Sequence, residues 1–314
     1  MGIIKEFKIF SRQPAKYAWT TVLFNGDLYL PGAMVVAQSL RDVQTAHDIV
    51  CMVDQSVSDT AVDSLYNAFD RVFLVDTIRT NSGLHFTNKQ RNYYSAWIDT
   101  SCTKWNALYL VDYDKVIYID SDHVVSQNMD NLAELGTPAA VFSTPWAYPY
   151  AHGGYFNPYI IAHMLKNDIP HGAKISATLW RTIATSRRVT FAPCSSLAVI
   201  KPSISDAEQY TSWITSQIQY CANANIASGI DEVSIFEYYA GMKGMQWSNI
   251  HQQYSAIPWK TKWANPKTHT IYAHHYFGEK PWLMNRSQWP DLEEWYTVAD
   301  RLGICPVIHA HALL

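Results

Sequence analysis

The sequence predicts an open α/β sheet, mostly parallel and flanked by helices, with a loop-rich C-terminal part and a closing helix. Three observations carry that expectation. Short β-branched runs alternate with segments of helical apolar spacing from Ala18 to Val75, the order that gives parallel strands joined by crossover helices. The apolar run Val116-Ile117-Tyr118-Ile119 ends in two carboxylates, Asp120 and Asp122, as a strand end at a ligand-binding sheet edge does. After a loop-rich stretch from Trp247 to Trp282, Asp291 to Leu302 regains helical spacing.

Ala18 to Phe24 reads as the first strand, followed by the turn cluster Asn25-Gly26-Asp27. Pro31-Gly32 opens a helical pattern through Ala33, Val36, Ala37 and Leu40, and Asp48 to Val53 is a second strand. Ser58 suits the N-cap of a helix whose Val62, Leu65, Tyr66 and Phe69 share one face, and Arg71 to Val75 is a third strand. Residues 79–95 read as irregular, and Trp97 to Tyr113 as a helix leading into the strand at 116. Asp130 to Leu135 is a helical turn and Ala139 to Phe142 a strand. Residues 144–160, rich in Pro, Gly and aromatics, form a long loop. Ser195 to Ile200 is a strand, Ser205 to Tyr220 and Asp231 to Tyr239 are helices, and Thr270 to Ala273 is a short strand. The closing helix has Pro290 at its start, an apolar face of Leu292, Trp295, Ala299 and Leu302, and Gly303 as its stop.

With 314 residues, 48% of them hydrophobic, the chain can bury a large core. A net charge of −3 and the absence of any Lys/Arg block exclude a nucleic-acid face. Five scattered cysteines, with no CxxC spacing, fit thiols in a reducing compartment. Charges interrupt the N-terminal apolar runs, no apolar stretch is long enough to span a bilayer, and Glu6 stands where N-myristoylation wants Ser or Thr. A soluble cytoplasmic protein is the expectation.

Asp120 and Asp122, two apart, point the same way in an extended chain and repel unless a cation sits between them. The motif alone fits a divalent-metal pair or an acidic turn. Far downstream, HHYFGEKPW (274–282) brings two imidazoles, a glycine and a lysine together. Glycine lets backbone N–H groups approach a phosphate, lysine adds a point charge, and one imidazole can complete a metal site.

These stretches resemble the glycogenin-like glycosyltransferases, family 8 of the retaining sugar-nucleotide transferases. LFNGDLYLPGAMVVAQSL resembles the family's first strand, turn and helix, CTKWNALYLVDYDKVIYIDSDHVV its Lys-containing helix and Asp-x-Asp strand, and HYFGEKPW its His/Gly/Lys loop. TAHDIVCMV, KQRNYYSAWIDTSCTKWN, FSTPWAYPY and GIDEVSIFEYY look most like a branch found in large insect DNA viruses and similar eukaryotic proteins. The resemblance implies one Rossmann-like GT-A domain over 1–314, with a nucleotide half at 18–143, a sugar and acceptor half at 144–282, and a helical cap at 283–314. It implies retaining transfer of a hexose-type sugar from a UDP-sugar. Asp120, Asp122 and His275 would hold manganese, with magnesium as the alternative and His274 the less suited imidazole. Leu23, Phe24 and Asn25 would line the uridine pocket and Tyr29 would stack on uracil. Gly278 and Lys280 would meet the diphosphate, Ser121 would bind the nucleotide-sugar, and Arg91 or Lys89 would close over the nucleotide. Lys104, Ser195, Asp231 and Glu232 would lie near the sugar, with Asp231 and Lys104 as catalytic candidates; Asp231 also suits a helix N-cap and Lys104 a solvated helix face. Cys194-Ser195-Ser196 replaces the Asn-Ser-Gly stretch of glycogenin, so the donor does not carry over. The acceptor is unknown, and dimers are common in the family, which leaves a homodimer open. The rival readings are a metal-dependent sugar nucleotidyltransferase and a catalytically silent carbohydrate-binding protein of the same fold.

Overall fold

The computed structural model describes residues 5–6, 15–80, 96–142, 169–178, 194–223, 230–258, 270–278 and 280–304. The expected irregular segment 81–95 and loop 144–160 lie outside them.

Strand β2 (Tyr17–Leu23) passes through α1 (Leu30–Asp42) to β3 (Asp48–Val53), then through α2 (Asp59–Ala68) to β4 (Arg71–Leu74). The expected cap is present: Ser58 Oγ accepts the Ala61 N–H at 3.2 Å. Strand β5 (Lys115–Ile119) follows a 3-10 helix at Ile98–Tyr109, and β6 (His123–Val125) follows at once. The later elements are β7 (Ala139–Val141), β8 (Lys174–Ile175), β9 (Cys194–Ile200), α3 (Ile204–Asn223), α4 (Ile230–Phe236), β10 (Trp247–Ile250), β11 (Ala273–His275) and α5 (Leu292–Arg301). With β1 (Lys5–Glu6), nine strands form one sheet in the order β1-β4-β3-β2-β5-β9-β7-β10-β8. Strands β2 to β5 run parallel, β9 lies antiparallel between β5 and β7, and β10 pairs parallel with β7. The expected mostly parallel open sheet is therefore present.

Alternation along β5 divides the core. Val116 and Tyr118 pack on one face with Trp105, Phe142, Phe236 and Trp247. Ile117 and Ile119 pack on the other with Leu40, Leu65 and Trp19, under α1 and α2. A third cluster, built on Trp282, Trp295 and Tyr296, joins α5 to Val35 of α1 and Val124 of β6.

Three elements differ from expectation. The segment before β5 is a 3-10 helix at Ile98–Tyr109. Its polar residues bond to carbonyls three back: Thr100 Oγ1 to Trp97 O at 3.0 Å, Ser101 Oγ to Ile98 O at 2.9 Å, and Asn106 Nδ2 to Thr103 O at 2.9 Å. Such bonds favour the tighter turn. The late strand is Ala273–His275 rather than Thr270–Ala273, because its register is set by pairing: Ala273 faces Val125 and His275 faces His123 in a separate two-stranded sheet. Helix α4 stops at Phe236 and continues as a π-helical turn, Glu237–Met242.

Candidate active site

The parallel strands end in a row of short polar turns. Leu23, the last residue of β2, keeps its side chain in the core, while Phe24 is half-buried and Asn25 exposed. Asn25 adopts φ 60°, and its Nδ2 donates to Ala96 O at 2.9 Å and Thr100 Oγ1 at 2.8 Å, joining this turn to the 3-10 helix. Tyr29 precedes α1 and meets Trp282 edge-on at 5.3 Å, with Lys280 Nζ 5.9 Å from its ring.

Strand β5 stops at Ile119, and a turn at Ser121-Asp122 breaks the alternation that would have aimed both aspartates at one point. Asp120 continues the Tyr118 face. It accepts the Tyr118 hydroxyl at 2.7 Å and lies 3.1 Å from Lys104 Nζ. Lys104 also pairs with Asp231 Oδ2 at 2.8 Å and donates to Ser195 Oγ at 3.2 Å. Ser195 Oγ donates to Asp231 Oδ2 at 2.8 Å, and the Ser195 N–H donates to Glu232 Oε1 at 3.1 Å. Asp231 lies in the first turn of α4, and its backbone carbonyl accepts Trp105 Nε1–H at 3.0 Å. Burial alone would lower the Lys104 pKa, but the Asp120 and Asp231 carboxylates raise it well above the ordinary lysine value. For Asp231, burial opposes ionisation, yet the Lys104 charge and the Ser195 hydrogen bond hold its carboxyl below the usual range. The result is a buried lysine held between two carboxyl groups.

Asp122 turns the other way. Lys280 Nζ donates to its Oδ2 at 2.5 Å, while Oδ1 is buried without a hydrogen-bond partner. His275 Nε2 stands 3.4 Å and His123 Nδ1 3.5 Å from that Oδ1. Burial again opposes ionisation, but the Lys280 ammonium outweighs it and holds the Asp122 carboxyl well below the usual range. Ligand atoms of Asp122, His123 and His275 lie within 4.8 Å of one another, a spacing that one cation can span. A buried carboxylate oxygen left unpaired beside imidazole nitrogens fits a divalent metal, since such an atom is costly without a partner. Among the expected ligands, the structure brings Asp122 and His275 together. Asp120 stands outside this group, held by Lys104 and Tyr118. His274, on the opposite face of β11, pairs with Glu294 of α5.

Gly278 sits at φ +100°, a conformation glycine adopts freely, with open space where a Cβ would stand. Ser121 is buried, and its carbonyl approaches Gly32 so closely that a methyl there would overlap both it and the Trp282 ring. Arg91 and Lys89 lie outside the described residues. The sequence reading missed Tyr118, Gly32, His123, Ser196 and Ser255. Two of them had a signal, His123 as the residue after the Asp-x-Asp motif and Ser196 as part of the stretch that departs from glycogenin.

The sequence model of Glycosyl transferase family 8 matches residues 20–161. An uncharacterised protein, R707, of Acanthamoeba polyphaga mimivirus is 29% identical over 126 residues, 40% of this chain and 43% of its own. UDP-glucuronate:xylan alpha-glucuronosyltransferase 2 of Arabidopsis thaliana is 30% identical over 138 residues, 44% of this chain and 22% of its own. Glycogenin-1 of Mus musculus is 30% identical over 129 residues, 41% of this chain and 37% of its own. The matched stretch is thus less than half the length of each of these relatives. The crystal structure of the galactosyltransferase LgtC superposes with a TM-score of 0.56 at 14% identity, covering 92% of this chain and 98% of LgtC. That likeness extends the GT-A fold over nearly the whole chain. Residues 20–161, which include the Asp120-Ser121-Asp122 turn, thus match the family 8 model, and the chain shares the GT-A fold of a glycosyltransferase.

Proposed function

We propose that the protein is a metal-dependent, retaining glycosyltransferase that moves a hexose-type sugar from a UDP-sugar to an acceptor. The observation that carries this reading is the pair of opposed charge clusters on one sheet edge. Asp122 with His275 and Lys280 makes a cation and phosphate site, and Lys104 with Asp231 and Ser195 makes a site for sugar chemistry. A divalent ion, manganese in the first instance, would neutralise the diphosphate and so stabilise UDP as a leaving group. Lys280, released from Asp122, would take a phosphate oxygen, and Gly278 would admit the diphosphate close to backbone. Asp231, ionised and pinned by Lys104 and Ser195, is the group to attack or stabilise the anomeric carbon on the face opposite UDP. Glu232 and Ser195 fix its position, and Lys104 supplies charge for the departing phosphate.

A hydrolysis screen of UDP-glucose, UDP-galactose, UDP-N-acetylglucosamine and UDP-glucuronate, each with manganese, magnesium or a chelator, tests the reading. UDP release from at least one donor is expected, lost on chelation and in Asp122→Asn. Full metal-dependent turnover by Asp122→Asn would overturn it.

A further inference from the structure

His275 does not stand alone behind the candidate metal site. Its ring stacks on that of His123, centroids 4.3 Å apart and planes within 6°. A buried hydrogen-bonded chain connects the two rings. His123 Nδ1 meets the Asp120 backbone carbonyl at 3.1 Å, and its Nε2 meets Ser255 Oγ at 3.0 Å. Ser255 Oγ lies 3.5 Å from Ser196 Oγ, which lies 3.3 Å from His275 Nδ1. All four side chains are buried.

The proton positions follow from what each atom can do. A backbone carbonyl only accepts, so His123 Nδ1 carries a proton. A neutral imidazole carries one ring proton, so Nε2 is bare and accepts from the Ser255 hydroxyl, 3.0 Å away. The Ser255 oxygen then accepts from Ser196. Ser196, its proton committed, accepts from His275 Nδ1–H and from the Cys194 thiol, which is 3.1 Å away. In this direction every N–H and O–H of the chain has an acceptor, and the bare His275 Nε2 faces the unpaired Asp122 Oδ1 at 3.4 Å, two lone-pair atoms that a shared cation would satisfy. The reverse direction leaves two serine oxygens facing each other with no proton between them, and asks His275 Nε2 to donate to an Asp122 oxygen with which it makes no hydrogen bond.

We propose that His123, Ser255 and Ser196 form a positioning chain that fixes His275 as its Nδ1–H tautomer and presents a bare Nε2 lone pair beside Asp122 Oδ1. The partner of a ligating histidine's second nitrogen sets which nitrogen is free for a metal. Here that partner is a serine hydroxyl whose own direction is set, through His123, by the backbone of the Asp-x-Asp turn. Only the final step, cation capture by Nε2, rests on the metal-dependent reading above.

Nitrogen-15 histidine spectra of the metal-free protein, with the His275 signals assigned by their loss in His275→Asn, read the tautomer directly. The wild type is expected as Nδ1–H. Ser196→Ala and Ser255→Ala are expected to shift His275 toward Nε2–H, while Ser196→Thr keeps the hydroxyl and the wild-type signature. Calorimetric manganese affinity should fall about 10–100-fold in Ser196→Ala, the usual loss when such a partner is removed, and recover in Ser196→Thr. An Nε2–H wild type, or wild-type manganese affinity in Ser196→Ala, overturns the proposal. A wild type that is Nδ1–H yet binds no manganese upholds the chain and overturns the metal-dependent transferase reading instead.

Discussion

At the scale of single residues, two positions separate the architecture of the site from its chemistry. Gly32 touches no expected ligand, yet its missing Cβ is what lets the Ser121 carbonyl and the Trp282 ring close on α1. Gly32→Ala should cost about 1–3 kcal/mol as an overpacked contact. The displaced Asp120–Asp122 turn should also weaken manganese-dependent UDP binding, measured by calorimetry beside a thermal melt. Asp231 is the opposite case. Its carboxylate is bonded on one side to Lys104 and Ser195, so Asp231→Asn keeps shape while removing charge. Turnover should fall about 100- to 1000-fold, the scale for removing one electrostatic stabiliser, with metal-dependent UDP affinity near the wild-type value. Loss of UDP binding with unchanged turnover number would assign Asp231 to nucleotide binding instead. Asp120, Asp122, His275 and Lys280 were legible as candidates because they stood at a strand end or in a glycine loop, whereas Lys104 and Asp231 stood out only through the family pattern. The roles of Ser196, Ser255 and Gly32 were not legible, although Ser196 stood out as a departure from glycogenin. Small residues carry no periodic signal, and their roles exist only once distant segments meet.

At the scale of elements, a half-buried carboxylate ties together loops that frame the sheet. Asp130 opens the short 3-10 turn at Asp130–Glu134 and draws three segments together. Its Oδ1 accepts Thr45 Oγ1–H at 2.6 Å and Trp19 Nε1–H at 3.2 Å, and its Oδ2 accepts the Ala46 N–H at 2.8 Å. Burial opposes its ionisation, but these donors outweigh that and hold its carboxyl below the usual range. A depressed folded-state pKa gives stability that is present above the unfolded carboxylate value, near ~3.9, and is lost as pH falls through the folded value. Asp130→Asn turns an amide donor toward a backbone donor or a hydroxyl, so it should cost about 1–3 kcal/mol at neutral pH. In urea melts the gap between wild type and variant should shrink as pH drops below about 4; a gap that stays constant would mean the native carboxyl is not ionised in the way its donors imply. Helix starts, strand runs and the closing helix were readable from apolar spacing and caps, as at Ser58. The 3-10 segment Ile98–Tyr109 was not, because hydroxyls bonding three residues back override a helical apolar pattern without altering it.

At the scale of the whole molecule, strand order is what the sequence could not supply. Strand β9 inserts antiparallel between β5 and β7, and no local pattern encodes a partner some 80 residues away. That insertion carries Ser195 and Ser196 to the two opposite ends of the site, one to Asp231 and one to His275. The loop after β11 likewise brings Lys280 across the sheet edge onto Asp122. This contact makes metal and nucleotide binding interdependent. Lys280 leaving Asp122 for a phosphate would strand a buried carboxylate, and Asp122 receiving a cation would set that charge against the Lys280 ammonium. Each ligand alone therefore meets an uncompensated charge, and together they compensate one another, which is positive coupling of about 1–3 kcal/mol. A saturating pair, at about 100 times its Kd, adds about 2.7 kcal/mol of stability and raises Tm by ~5 °C. Manganese or UDP singly should give a much smaller rise, and Asp122→Asn should abolish the excess. Lys280→Met reverses the logic for one ligand: manganese alone should bind it more tightly than it binds wild type, while UDP binds more weakly. Additive shifts in the wild type, or weaker manganese binding by Lys280→Met, would mean that Lys280 and the cation do not compete for Asp122.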